Sequence, residues 1–179
     1  ANVADELAYT AHDLDDGLRS GIITVAMLEE IELWQVMRES IGWRSGELDD
    51  LTRHRIIRRL IGTEVTDILR ASEQRLRENR VSSVEDVQRL PFNVITFSED
   101  MATRNRQLKD FLYQNMYRSY RVVRMAVKAE RLINELFKSY CKEPTILPGH
   151  VYKNMDKFGL ERTVCDYIAG MTDRYAIEE

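Results

Sequence analysis

Apolar residues recur every three to four positions along nearly the whole chain, which is the spacing of amphipathic α-helices. The segment 24–42 shows this on one face, which carries Met27, Leu28, Ile31 and Trp34. The pattern predicts helices over 2–18, 24–42, about 47–79, about 98–140, 151–159 and 160–176, with a short helix within 81–90. The fold class predicted from this pattern is all-α.

The predicted third long helix contains a glycine, and the predicted fourth long helix begins at a capping residue. The helix over about 47–79 would turn one set of apolar residues inward and could kink at Gly62; the set is Ile56, Leu60, Val65, Ile68 and Leu69. Residues 90–97, with a proline near the start, predict an extended connector. Ser98 then predicts a helix cap, because Glu99 and Asp100 follow it in the first turn.

The chain has no internal repeat, so residues 1–179 are interpreted as one helical domain or lobe. The sequence begins at Ala1, without Met or a capping residue, and is already helical in pattern by Val3. Because helices usually begin with a cap, we expect a chain cut inside, or just before, a helix of a longer protein. A processed or tag-cleaved start is the alternative.

The composition narrows the class of protein. A net charge of −4 gives no general affinity for nucleic acid, and 31% charged residues are ordinary for a globular domain. Two cysteines are too few for a disulfide scaffold, which favours a reducing, cytoplasmic setting. No apolar run has the length of a membrane span, so we expect no membrane partner.

The first predicted helix separates polar from apolar residues in an unusual way. With Asp5 at zero and about 100° per residue, Tyr9 falls near 40°, His12 near −20° and Asp13 near 80°. Its leucines and alanines occupy the opposite side. A solvated acidic face is the simpler interpretation, but a tyrosine within it and no basic residue before Arg19 favour a functional surface.

Carboxylates and histidine are suitable ligands for Mn, Fe, Mg or Zn, yet this helix alone cannot complete a metal site. His12 and Asp13 are adjacent, so their side chains diverge by about 100°. Asp5 and Asp13 lie roughly 12 Å apart along the helix axis. His54 and His150 show no ligand spacing with them. The residues therefore indicate part of a metal site at most.

Three blocks of sequence carry a family resemblance. The stretches "VADELAYTAHDLDDGL", "FSEDMATRNRQLKDFLYQNMYRSYRV" and "CDYIAGMTDRYA" resemble, in the same order, the C-terminal portion of bacterial dGTPase-like deoxynucleoside triphosphate triphosphohydrolases of the HD superfamily. The resemblance implies an HD-superfamily-type helical bundle that is part of a larger enzyme. It also implies that Asp5 is the last metal ligand, and that the metal-binding His-Asp doublet lies before Ala1.

The resemblance assigns further roles within the first helix. Tyr9 and Asp13 would face the nucleotide, with the tyrosine beside sugar and phosphate and the carboxylate accepting from the 3′-hydroxyl. His12-Asp13 would then have the same residue types as the metal-binding doublet but a different position in the chain. No catalytic group beyond the ligand Asp5 is implied within the chain, and His12 receives no role.

The resembling enzymes use a divalent metal and release triphosphate and a deoxynucleoside from a dNTP, for which dGTP is the expected substrate. We therefore expect the fragment alone to be inactive. The family also implies a homo-oligomer and, for some members, an effector nucleotide. The alternative is a non-catalytic helical regulatory or oligomerisation module.

A second set of candidate residues lies on the predicted helix over 98–140. Asn105, Lys109, Tyr113 and Tyr117 recur every four residues, and Arg118 begins a basic surface. From spacing alone, a solvated basic face bordered by tyrosines is the simpler interpretation. By resemblance this helix borders the nucleotide pocket, so Lys109, Tyr113, Tyr117 and Arg118 are candidate substrate contacts.

The segment "TRHRIIRRLIG" mixes Arg53, His54, Arg55, Arg58 and Arg59 with apolar residues. We favour an amphipathic helix with snorkelling arginines over an effector or single-stranded DNA site, because no aromatic residues are interleaved. Trp34 and Trp43 are expected to be core or interface anchors. Asp173 and Arg174 receive no chemical role beyond packing or a salt bridge.

Overall fold

The computed structural model describes residues 2–179, and this part of the chain is all-α, without a β-strand, as predicted. Its ten α-helices fall into two compact units, residues 2–119 and residues 120–179. The apolar pattern, which predicts one domain or lobe over 1–179, carries no marker of this division. None of the helices in 2–179 is long and apolar enough to cross a membrane.

The N-terminal unit contains five α-helices, a 3-10 turn and a π-helical turn. They are α1 (Asn2–Arg19), the 3-10 turn (Val25–Leu28), α2 (Glu32–Ser40), α3 (Asp50–Glu78), α4 (Val84–Arg89), α5 (Glu99–Leu112) and the π turn (Tyr113–Tyr117). The core gathers around Trp34, which is 2% exposed and packs edge-on against Trp43, with ring centroids 6.2 Å apart. The prediction that both tryptophans are anchors is confirmed for this core.

The C-terminal unit has its own small core. Its elements are α6 (Tyr120–Lys142), a 3-10 turn (Pro144–Ile146), α7 (Gly149–Tyr152), α8 (Met155–Phe158), α9 (Leu160–Ala169) and α10 (Asp173–Glu178). Leu136 and Tyr140 of α6 pack with Leu147, Val151 and Val164. The predicted helix over 151–159 is wrong in detail, since two single turns, α7 and α8, occupy that region.

Helix α1 follows its predicted bounds and its predicted faces closely. The buried face consists of Leu7, Thr10, Ala11, Leu14 and Gly17. Gly17 is required by packing, because a Cβ atom there would lie 2.5 Å from Cδ1 of Ile23. The opposite face, with Asp5, Tyr9 and His12, is exposed. The hydrophobic effect thus seats α1 on the core and leaves its polar face outward.

Three of the longer predicted helices are interrupted. The prediction of one helix over 160–176 is wrong, because α9 ends at Ala169 and α10 begins at Asp173. The helix over 24–42 breaks before Glu32, because Ile31 takes an extended conformation, with φ −89° and ψ 108°. Met27, expected on the buried face, is 37% exposed as a result. The helix over 98–140 continues from α5 into the π turn and ends there, and α6 begins at Tyr120.

Helix α3 runs unbroken through Gly62, and Asp49 caps its first turn by accepting from the Thr52 amide. The prediction that Val65 and Leu69 point inward is wrong, since they are 42% and 65% exposed. Both line an apolar groove of about 780 Å³ within the N-terminal unit, together with Ile95. The apolar spacing predicts burial only where each apolar residue has an apolar partner. Here Val65 and Leu69 border the open groove instead.

The predicted caps are present at both later helices of the N-terminal unit. Ser98 accepts from the Met101 amide at 3.2 Å, and its own hydroxyl donates to Asp67 at 2.7 Å. Ser83, one of the two serines predicted, caps α4 and forms a capping box with Asp86. The residues between these helices form the expected irregular connector.

Candidate functional site

A concave cavity of about 620 Å³ lies in the N-terminal unit between α1 and the end of α5 with its π turn. Its lining residues are Glu6, Tyr9, Thr10, Asp13, Lys109, Asp110, Leu112, Tyr113 and Tyr117. Five of the sequence-predicted contacts therefore line one cavity: Tyr9, Asp13, Lys109, Tyr113 and Tyr117. Residues from two distant parts of the sequence thus meet on one surface.

The contact between Asp13 and Tyr117 joins the two walls of the cavity. The Tyr117 hydroxyl donates to Oδ2 of Asp13. This bond favours the protonated phenol, and together with partial burial and the Asp13 charge it raises the pKa of Tyr117 to about 12. Tyr117 is therefore a neutral hydrogen-bond donor throughout the physiological pH range.

Lys109 provides the cation of the cavity and forms an ion pair with Glu6 of α1. Partial burial lowers the pKa of the Lys109 amine, while the facing carboxylate favours its charged form. Because Glu6 pairs with Lys109, and Asp13 further along α1 pairs with Tyr117 further along the other wall, the two walls run in the same direction. The cation thus lies at one end of the cavity and the hydroxyl–carboxylate pair at the other.

Tyr113 lies between these two ends and is held by Arg118. The Arg118 guanidinium donates to the Tyr113 hydroxyl at 3.2 Å, and its carbon lies 5.2 Å from the centre of the Tyr113 ring. This cation–π contact orients the ring at the rim. Arg118 is not among the residues that line the cavity, and it is connected to the site through Tyr113.

Asp5 and Tyr9 occupy the exposed face of α1, one turn apart. Tyr9 is 63% exposed and borders the cavity, whereas Asp5 does not line it. Within residues 2–179, no hydrogen bond or salt bridge involves the Asp5 carboxylate, and no group of three His, Cys, Asp or Glu residues could hold a metal ion. The described residues can therefore offer Asp5 as a single ligand.

The buried polar residues next to the site were not predicted as functional. Glu64 of α3 is 0% exposed and accepts from the Asn105 side-chain amide at 2.7 Å, so Asn105 faces the core and not the cavity. Burial raises the pKa of Glu64 to about 8. Glu6 was also missed; its position one turn before Tyr9 was available, but its pairing with Lys109 depends on the tertiary fold.

The basic segment at the start of α3 separates into one buried and several exposed cations. Arg53 is 7% exposed, and its guanidinium donates to Asp15 at 2.8 Å and also to Asp50. It therefore ties α3 to α1, which the snorkelling interpretation did not anticipate. The other members of the segment, His54, Arg55, Arg58 and Arg59, are exposed.

The remaining unassigned residues have ordinary surroundings. His12 is exposed on α1. Arg174 forms an i,i+4 salt bridge with Glu178 at 2.8 Å, which agrees with the default expectation for that residue. Asp173 lies in the first turn of α10, where a carboxylate is favoured by the helix dipole.

Comparison with known proteins supports the resemblance predicted from the sequence. Residues 95–179 match the family model of the phosphohydrolase-associated domain. A deoxyguanosinetriphosphate triphosphohydrolase-like protein of Geobacter metallireducens is 47% identical over 179 residues, which cover 99% of this chain and 46% of the relative. Proteins of the same name from Bordetella pertussis (42% identical, 100% of this chain, 46% of the relative) and Deinococcus deserti (40%, 99% and 47%) are similar along the same length.

The chain therefore spans about half the length of the curated relatives it matches. The matches run along the whole chain and include all three blocks on which the resemblance rests. By these comparisons, the chain belongs to the dGTPase-like proteins of the HD superfamily.

Proposed function

We propose that the chain is part of a metal-dependent dNTP triphosphohydrolase that converts a dNTP, with dGTP expected, to a deoxynucleoside and triphosphate. The observation that carries the proposal is the convergence of Tyr9 and Asp13 from α1 with Lys109 and Tyr113 from the other wall on one cavity. The names of the relatives give the reaction class, and they do not favour the alternative of a non-catalytic regulatory or oligomerisation module.

The cavity offers complementary chemistry to a deoxynucleotide at its two ends. The Lys109 ammonium would neutralise phosphate charge, for which its ion pair with Glu6 would have to open. The Asp13 carboxylate would accept a hydrogen bond from a sugar hydroxyl, because an ionised carboxylate only accepts. Tyr9 and Tyr113 line the cavity between these ends, and Arg118 would support Tyr113.

Asp5 is the proposed metal ligand. Its carboxylate is exposed, lies one turn from Tyr9 and is a hard oxygen donor, so it fits Mn, Mg, Fe or Zn as one ligand among several. A divalent metal bound there would polarise a phosphoryl oxygen and acidify a water molecule. The other ligands would have to come from outside the described residues, which is why we expect the 179-residue chain alone to be inactive.

A triphosphate-release assay on the protein encoded by the complete gene tests the proposal, with each of the four dNTPs, with and without Mn. We expect dNTP-dependent release of triphosphate, abolished by Asp5→Asn. Asp16→Asn is the matched control, because Asp16 is also an exposed carboxylate on α1 but lies about three turns beyond Asp5. Equal activity of Asp5→Asn and Asp16→Asn would refute the metal-ligand role.

A second assay addresses the nucleotide contacts. Lys109→Met should raise the KM for the dNTP at least tenfold, because a charge-assisted hydrogen bond to phosphate is lost. Arg106→Met, an exposed cation on α5 outside the cavity, is the control. Self-association, an effector nucleotide and single-stranded DNA binding stay predictions of the resemblance, and light scattering of the complete protein would test the first.

A further inference from the structure

Two contacts join the walls of the cavity, and the residues that make them are separated by different numbers of positions on each wall. Along α1, the contacts are made by Glu6 and Asp13, which are 7 positions apart. Along the other wall they are made by Lys109 and Tyr117, which are 8 positions apart. In an uninterrupted α-helix, seven residues return to about −20° and eight to about +80°. A regular helix from Lys109 would therefore turn Tyr117 away from α1.

The π turn Tyr113–Tyr117 removes this mismatch. Its hydrogen bonds reach five residues back, as the Arg118 amide does to the Tyr113 carbonyl at 3.1 Å. One additional residue per turn offsets the drift by about 100°, which returns Tyr117 to roughly −20° from Lys109. Met116 correspondingly packs against the core of the N-terminal unit. The turn thus decides that a tyrosine hydroxyl, and not a thioether, reaches Asp13.

One side chain inside the turn ties it to the end of α5. The half-buried Asn115 donates from Nδ2 to the carbonyl of Phe111 at 2.9 Å. A π turn has poor intrinsic stability and occurs mainly as a single turn within α-helices, often at functional sites. A side-chain donor on the carbonyl at its entry therefore supplies local support that the backbone alone lacks.

We propose that Asn115 is a positioning residue of the cavity, which holds the π turn and thereby sets the angle at which Tyr117 meets Asp13. With Oδ2 of Asp13 engaged by Tyr117, Oδ1 is left to accept from a ligand hydroxyl. The ligand class, a nucleoside sugar, rests on the proposed function. The contact between Tyr117 and Asp13 is part of the structure and does not depend on the proposed function.

The titration of Tyr117 reports this geometry without any nucleotide. In the 179-residue chain labelled with 13Cζ-tyrosine, the Tyr117 resonance is assigned by its absence in Tyr117→Phe. We expect it to titrate at a pKa of about 12, against an ordinary value of 10.0, and to fall towards 10.0 in Asp13→Asn. Asn115→Leu should lower the Tyr117 pKa in the same way, because the turn relaxes and the hydroxyl leaves Asp13.

Asn134→Leu is the matched control. Asn134 makes the same kind of bond, from Nδ2 to the Glu130 carbonyl at 2.8 Å, within the regular helix α6. Its replacement should leave the Tyr117 pKa unchanged. If Asn115→Leu also leaves the Tyr117 pKa near 12 while Asp13→Asn lowers it, the positioning role is refuted.

Deletion of the exposed Gln114 separates register from folding. Removing one residue converts the π turn to an α-turn that presents Tyr117 at the same angle, about −20° from Lys109. We expect the deletion to keep the Tyr117 pKa near 12, alone and combined with Asn115→Leu. A Tyr117 pKa near 10 in the single deletion would overturn the register argument, even if Asn115→Leu fails to fold. Neither outcome depends on hydrolysis or metal binding, so failure of the proposed function would be seen separately.

Discussion

The buried carboxyl group of Glu64 makes the stability of the N-terminal unit depend on pH. Glu64 is 0% exposed and its pKa is raised to about 8 by burial. Its Oε1 accepts from Asn105, while Oε2 of Glu64 and Oδ1 of Asn105 have no hydrogen-bond partner among the described residues. A protonated Glu64 could donate to that amide oxygen, so the neutral acid suits this environment and the carboxylate does not.

Whether stability rises or falls with pH depends on whether the folded or the unfolded chain holds the Glu64 proton more tightly. Between the ordinary pKa of 4.5 and about 8, the folded protein keeps a proton on Glu64 that the unfolded chain releases. The free energy of unfolding contributed by Glu64 is therefore highest at low pH and falls as the pH rises to about 8, beyond which it is constant. At about 1.4 kcal/mol per pH unit, the loss between pH 6 and pH 8 is roughly 2–3 kcal/mol.

Glu64→Gln tests this reasoning, because glutamine keeps the shape, stays neutral at every pH and both donates and accepts. Urea denaturation at pH 6, 7 and 8, followed by circular dichroism, gives the free energy of unfolding. We expect the wild type to lose about 2–3 kcal/mol across this range and Glu64→Gln to lose little. The exposed Glu73→Gln, on the same helix, should follow the wild type. Equal slopes for wild type and Glu64→Gln would show that Glu64 is already ionised in the folded state.

Three further predictions concern the free energy of unfolding, measured by urea denaturation at pH 7. Arg53→Met should cost about 2–3 kcal/mol, because it leaves a carboxylate of α1 without its buried cation; an unchanged midpoint would refute the role of this ion pair. Ser98→Ala should cost about 1–2 kcal/mol through loss of the α5 cap, and a loss below about 0.3 kcal/mol would contradict it. Gly17→Ala should destabilise by about 1–3 kcal/mol through its clash with Ile23, whereas Gly62→Ala, with open space around the added Cβ, should stabilise by up to about 1 kcal/mol. Gly17→Ala as stable as wild type would show that Ile23 can move.

The serines before α4 and α5 predicted the caps, and the apolar spacing was sufficient to predict the helical class and the bounds of α1, because each of these features depends on neighbouring residues. It failed where a distant residue decides the local structure. Between the 3-10 turn and α2, the side-chain amide of Gln107 donates to the Glu30 carbonyl at 3.0 Å and accepts from the Glu32 amide at 3.1 Å. These bonds satisfy backbone groups that a continuous helix would have paired, so the break depends on α5.

In the candidate site, the sequence pattern identified the residues but not the side-chain contacts between them. The spacing of Lys109, Tyr113 and Tyr117 was visible in the sequence, and so was the polar face with Asp13. Which residue pairs with which was not visible, because Glu6 meets Lys109 only after α1 and α5 have packed in parallel. Side-chain types and spacing can therefore nominate the walls of a cavity, whereas the contacts between walls require the fold.

Lys109 and Tyr117 are eight residues apart and both contact α1, which a regular α-helix would not allow. The π turn between them explains how they lie on one face. Over the eight residues from Lys109 to Tyr117, an α-helix drifts by about 80°, so a strict four-residue repeat would leave the cavity face. The repeat stays on one face because the helix gains a residue in the turn where Asn115 bonds to Phe111. The π turn therefore gives a testable reason for the tyrosine at position 117.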